Sequence, residues 1–285
     1  MALPPATSIN YIPSVVVTAP LYSGADLCEM ARRLNYQIRQ AAASITDTSF
    51  EFPGEKARRP RDNEARQFIK SKMINRIYNV QKKGLGEGLL RVLLQKGLEG
   101  VMVVACSKML ATWSKDKVES EVLSNFYKSR MQQSGYWRSM TKKAAKLSFH
   151  KGVKEELLDC LNQVVNQIID VSGRGSFELD VAIQDGIGDV CDAVMRLDKA
   201  LSEDPTDDDW EVFYAFPDSE IDIETTEPNG EISGLVICPT DLGLRRAIFT
   251  NATSDIPSGS TMVEFTISHW QTILKAKALL EGDCI

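Results

Sequence analysis

Apolar residues recur at helical spacing along most of the first 200 positions of this chain and at strand spacing beyond them. Residues 1–22 form a proline-bearing arm (Pro4, Pro5, Pro13 and Pro20), in which Thr18 to Tyr22 is a short peptide of the kind that grooved adaptor domains capture. Ser23 or Asp26 then caps a helix carried by Leu27, Met30, Ala31, Leu34 and Ile38, with Arg32, Arg33 and Arg39 on its polar side. The pattern fades over Ala41 to Thr48, and Pro53, Gly54 and Pro60 predict a loop from Asp47 to Arg61. Ile69, Met73, Ile77 and Val80 predict a second helix over Asn63 to Lys83, stopped by Gly84.

Glycines 84, 86 and 88 predict a turn, after which helical patterns run over Leu89–Leu94, Leu98–Trp113, Val118–Met131 and Trp137–His150. The clearest pattern follows, with Leu157, Leu158, Leu161, Val164, Val165, Ile168 and Ile169 on one buried face. Ser172 to Gly175 reads as a loop, and Leu179–Leu201 as a helix with weak points at Gly186 and Gly188. An acidic linker spans residues 202–209.

Beyond it the period shortens to two. Strands are expected over Trp210–Phe216, Glu220–Thr225, Ile232–Cys238, Ala247–Thr250 and Thr261–Ile267, separated by turn signals such as Pro228-Asn229-Gly230. A last helix, Trp270–Leu280, is expected to cover the sheet. The fold class is therefore α+β: a helical body over residues 23–201, then a small antiparallel sheet with a covering helix over residues 210–285.

Charge changes the picture most. Residues 1–151 carry 25 Lys or Arg against 12 Asp or Glu, net +13, whereas residues 152–285 carry 8 against 27, net −19; the total of −6 conceals both. A basic half of this kind suits an anionic polymer or surface. The densest candidate is Arg138, Lys142 and Lys146, spaced by four so that a helix stacks them on one face, with Lys143 beside them and Tyr136, Trp137 and Phe149 flanking. Cations in a row neutralise successive phosphates and aromatics stack on bases. Arg58, Arg59 and Arg61 form a second cluster, suited to phosphate contact or nuclear import. Lys72, Arg76 and Lys83 share a sector roughly 40° wide beside the apolar stripe of their helix. A competing expectation is that the basic clusters dock on the acidic half of the same or a neighbouring molecule, which would make charge an assembly device.

Other chemistry is thin. The two histidines, His150 and His269, lie in no catalytic motif, and the six cysteines are scattered without a C-x-x-C pair, as expected of reduced thiols. Gly84 to Gly88 alternates glycines but follows a helix, where a dinucleotide fingerprint needs a strand. Glu203 to Asp209 lacks the glycine and terminal glutamate of a calcium loop, and Asp185, Asp189 and Asp192 read as a solvated helix face. No catalytic residue, cofactor or metal is expected. Nor is a signal peptide or a membrane span, since the most apolar run, Val101 to Cys106, stops at Lys108. The Asn251 sequon matters only in a secreted protein.

The leading expectation is a non-enzymatic, intracellular (cytoplasmic or nuclear) binding and assembly protein. Its basic part engages RNA or DNA first, or an anionic membrane surface, and its acidic part serves self-association or protein partners, with a homo-oligomer as the expected state. Viral nucleocapsid-associated and matrix-like structural proteins share this logic of charge by analogy alone. The alternatives are a protein–protein adaptor that binds no nucleic acid, and a small hydrolase or transferase with an unrecognised site.

Overall fold

The structure, a computed structural model, describes residues 22–51, 71–112, 117–130, 141, 152–173, 181–203, 209–230, 233–252 and 264–283. Its helices are α1 (Gly24–Glu51), α2 (Ser71–Lys83), α3 (Glu87–Ala111), α4 (Lys117–Arg130), α5 (Val153–Ser172) and α6 (Val181–Glu203). Its strands are β1 (Trp210–Phe213), β2 (Thr226–Pro228), β3 (Val236–Asp241), β4 (Gly243–Ala252), β5 (Glu264–Leu274) and β6 (Ala276–Leu280). The class is α+β and mostly helical, with one antiparallel three-stranded sheet, β1-β4-β5, and a second small sheet, β2-β6-β3. The second sheet is mixed, because β2 runs parallel to β6.

Local chemistry sets the helix ends. Ser23 and Asp26 cap α1 reciprocally: the Ser23 amide donates to Asp26 Oδ2 at 2.8 Å and the Asp26 amide to Ser23 Oγ at 3.2 Å. The hydrogen bond from Ser23 holds the Asp26 carboxyl below its ordinary range. Gly84, at φ 63°, ends α2; its amide donates to the Gln81 carbonyl and that of Leu85 to the Val80 carbonyl, the paired bonds of a Schellman turn. Gly173, at φ 73°, ends α5 in the same left-handed conformation.

Helix α1 outruns its sequence signal. It continues through the segment expected to fade and then loop, with Ala41, Ala42 and Ile45 buried. Thr46 and Ser49 donate their hydroxyls to the carbonyls four residues back, at 2.7 and 2.6 Å. Small side chains make that stretch look weak, yet they let α6 approach closely: a Cβ on Gly186 would stand 3.9 Å from Ala41 Cβ. The two helices expected over 89–94 and 98–113 are one, α3, for a related reason. Gly97 lies where α2 and α5 press on α3, a Cβ there falling 2.9 Å from Ile77 Cδ1 and 3.7 Å from Ile168 Cγ2. The central helix α3 is buried along most of its length, Leu90 to Leu110.

One hydrophobic cluster joins α1, α2, α3, α5 and α6 to Trp210, Ile237, Cys238, Leu242, Leu244 and Leu279 of the strand-bearing segment. Tyr22, the last residue of the expected arm, packs against this cluster. A satellite of Ala215, Val236, Ala278 and Leu280 lies on the second sheet.

The covering helix expected over Trp270–Leu280 is absent: those residues lie in β5 and β6. Lys, Ala, Gln and Leu favour helix locally, but β6 is buried on both faces, Leu279 toward the helical core and Ala278 and Leu280 toward the satellite. A strand buried on both sides shows no alternation, so its sequence imitates a helix. The strand expected over Glu220–Thr225 shifts to β2, because Asp222 organises a turn there: its Oδ1 accepts from the Glu224 amide at 3.0 Å and its carbonyl from the Thr226 amide at 2.7 Å. In β3, register shifts flank Pro239, which has no amide hydrogen to give the ladder. Glycine is required at the corner between β3 and β4. A Cβ on Gly243 would sit 2.4 Å from Phe213 Cζ and 2.8 Å from the Ala276 nitrogen.

Candidate functional site

Of the ten cationic candidates, Lys72, Arg76 and Lys83 lie among the described residues, all on α2. Arg58, Arg59, Arg61, Arg138, Lys142, Lys143 and Lys146 lie outside them. The helix expected over Trp137–His150 and the loop at Asp47–Arg61 share that position, apart from Thr141 and residues 47–51.

Two of the three α2 candidates turn toward the acidic half. Lys72 Nζ stands 3.7 Å from Asp218 Oδ1 and 3.9 Å from Glu281 Oε2. Arg76 Nη2 donates to the Glu281 carbonyl at 2.8 Å. Lys83 is exposed in the last turn of α2 beside Lys82, where the helix dipole favours positive charge. The common sector of these three residues is thus a docking edge for the C-terminal turn at one end and a helix terminus at the other.

A second seam, which the sequence did not reveal, lies where α1 and α3 meet β3. Asn35, buried, donates Nδ2–H to the Leu242 carbonyl at 2.9 Å and accepts the Leu242 amide at 2.9 Å on Oδ1. One turn along, Arg39 Nε lies 3.7 Å from Asp241 Oδ1. Glu99 is fully buried; it accepts from Lys96 Nζ at 2.7 Å and from Gln95 Nε2 at 3.1 Å. Burial pushes the Glu99 carboxyl up, Lys96 and Gln95 pull it back, and nearby Asp241 adds to the rise. Burial likewise raises Asp241, against the pull of Arg39, Lys277 and Lys96. Carboxyls raised by burial beside cations are the raw material of acid–base chemistry. Here the hydrogen bonds of Glu99 stay within α3, Asp241 Oδ1 meets Arg39 only as a 3.7 Å ion pair, and it is the Asn35–Leu242 pair that fastens the sheet to the body. The available signal was Glu99 standing just before the apolar run Val101 to Cys106.

The acidic linker also differs at its end from the solvated segment expected. Asp209 is buried, and burial, with Glu211 beside it, pushes its carboxyl up to about 7. Residues 204–208 lie outside the described set. On α6, Asp192 pairs with Lys154 of α5, while Asp185 and Asp189 are exposed. His269 is exposed within β5, opposite Ile248, and His150 lies outside the described residues. Cys28, Cys106, Cys160, Cys191 and Cys238 are free thiols; burial raises Cys106 strongly and Cys191 to about 12, which leaves both protonated and unreactive at neutral pH. On β4, Arg245 lies between the rings of Phe213 and Trp270, 5.4 and 4.7 Å from their centroids, and donates to Glu211 Oε2 at 2.7 Å. Among the described residues no three His, Cys, Asp or Glu gather as metal ligands, and no helix is long and apolar enough to cross a membrane.

Comparison of the chain with family models, curated proteins and solved structures returns no match.

Proposed function

We propose that this chain is a non-enzymatic binding and assembly protein that engages RNA or DNA through the basic segments on either side of α2, α3 and α4. The carrying observation is that residues 131–151 hold five Lys or Arg, three aromatic residues and no Asp or Glu. With Lys72 and Arg76 committed to Asp218 and Glu281, the cations left for a polyanion concentrate in two places, Arg58–Arg61 and Arg138–Lys146. The acidic half then has two duties: part of it docks the sheets onto the helices, and the remainder keeps the polyanion to one side of the molecule by repulsion.

The test is a fluorescence anisotropy titration of the full chain against labelled duplex DNA and single-stranded RNA of mixed sequence, over a salt series. Counterion release predicts log affinity falling linearly with log salt. Failure to bind either polymer at about 50 mM salt, where such contacts are least screened, overturns the proposal. The engagement of Lys72 and Arg76 favours a second reading, a protein–protein adaptor without nucleic-acid binding, and the same null titration is its expected result.

A further inference from the structure

The seam that carries Asn35 also gathers charged side chains from five elements: Arg39 of α1, Lys96 and Glu99 of α3, Glu227 of β2, Asp241 of β3 and Lys277 of β6. Asp241 lies at its floor, 5% exposed. Among the described residues none donates a hydrogen bond to its Oδ1, and the ion pair with Arg39 at 3.7 Å is loose, with the Arg39 side chain 45% exposed and its Nε donating to the Asn35 carbonyl. The other two cations are engaged. Lys96 Nζ donates to Glu99 Oε2 at 2.7 Å, and Lys277 Nζ stands 3.6 Å from Glu227 Oε2. Charges on the remaining elements around β3 turn elsewhere: Lys72 and Arg76 of α2 meet Asp218 and Glu281 near the Val236 end, and Arg245 and Arg246 of β4 meet Glu211 and Gln271.

A buried carboxylate without a hydrogen bond is costly, and a neutral carboxylic acid in the same place costs far less. Asp241 is therefore seated best with a proton on it. The backbone at this point is also built to give. Strand β3 shifts register against β6 between Pro239 and Asp241, and one residue further on Asn35 pins both backbone groups of Leu242. The strand thus has a fixed point at Leu242 and an interrupted ladder just before it. Cys238, three residues back, marks the contact with α3: it is fully buried, and its Sγ donates to the Lys96 carbonyl at 3.4 Å.

We propose that this seam is a proton-operated latch: a proton held on Asp241 keeps β3 seated on α3, and its loss lets β3 swing away from α3 about the fixed point at Leu242. Burial strengthens the hold of Asp241 on that proton, against the pull of Arg39, Lys277 and Lys96, so release comes above the ordinary carboxylate range. The seated state binds more protons than the open one, and opening becomes easier as pH rises. The latch uses neither Arg58–Arg61 nor Arg138–Lys146, so it stands or falls independently of nucleic-acid binding.

The test is alkylation of the full chain with iodoacetamide from about pH 5.5 to about pH 8.5, read cysteine by cysteine by mass spectrometry, with glutathione in the same tube to divide out the chemistry of the thiolate. The Cys238 rate relative to glutathione is expected to climb with pH, by up to about tenfold per unit once Asp241 titrates. Cys106, inside the helical core, stays unlabelled, which separates local opening from unfolding. Asp241→Asn carries no proton to lose and flattens the climb, whereas Asp209→Asn leaves it in place. Arg39→Gln removes the cation that opposes protonation and moves the climb to higher pH, so it tests the latch even where the Asp241 variant fails to fold. A wild-type Cys238 ratio that is flat over the whole range, a Cys106 rate that climbs with it, an Asp241→Asn variant that keeps the climb, or an Arg39→Gln profile identical to wild type overturns the proposal.

Discussion

Replacing Asn35 with alanine is expected to cost a large share of the stability of this fold. The Asn35 side chain satisfies both backbone groups of Leu242, giving 2.9 Å to the carbonyl and receiving 2.9 Å from the amide, at a buried point between α1 and the β3–β4 corner. Alanine leaves the Leu242 N–H and C=O buried and unpaired at about 1–3 kcal/mol each, so the loss is about 4 kcal/mol out of the roughly 5–15 kcal/mol typical of a domain. Urea unfolding followed by circular dichroism measures it, with the m-value unchanged if the native state is still whole. Asn35→Asp sharpens the test. A protonated Asp donates to the Leu242 carbonyl as Asn does, whereas the ionised form sets a buried charge against it, so this variant approaches wild-type stability at low pH and falls away as pH rises. A loss below about 1 kcal/mol for Asn35→Ala, at unchanged m-value, refutes the view that this pair fastens the sheet to the helices.

How much of this was legible in the sequence follows from whether the signal is local. The α5 stripe and the Ser23–Asp26 cap are written in adjacent turns, and both are found where the sequence puts them. Misread segments were those whose conformation depends on a distant partner. Ala41–Thr48 looks weak until Gly186 is known to face it, and Gln95–Gly97 looks like a break until Ile77 and Ile168 are seen to need the space. Trp270–Leu280 imitates a helix because both faces of β6 are covered. The charge division was visible from composition, but the commitment of Lys72 and Arg76 to Asp218 and Glu281 joins residues more than 140 positions apart, and no spacing rule reports such a pair. Asn35 and Glu99 were missed for the same reason.

Two further substitutions probe the core. Gly243→Ala drives a methyl into the Phe213 ring and the Ala276 backbone and is expected to cost about 3 kcal/mol, whereas Gly97→Ala meets chiefly the movable tip of Ile77 and costs less; the order of the two Tm values checks this. Asp209→Asn is expected to stabilise increasingly with pH. The wild-type carboxyl rises from 3.8 to about 7 on folding, so its contribution is greatest below pH 4 and is lost as pH climbs toward 7. The neutral amide escapes that loss, and its advantage over wild type grows by about 3 kcal/mol between pH 5 and pH 8 in urea unfolding. A pH-independent difference contradicts the assignment.

The central proposal is a division of labour among cations: Lys72 and Arg76 of α2 hold the acidic half, and Arg138, Lys142 and Lys146 are proposed to meet the polyanion. The salt dependence of duplex DNA binding tests it most directly. Removing Arg138, Lys142 and Lys146 together is expected to flatten the slope of log affinity against log salt by about 2.7, whereas Lys72→Ala with Arg76→Ala leaves the slope unchanged. A slope that flattens for the α2 pair and holds for the 138–146 triple contradicts the account.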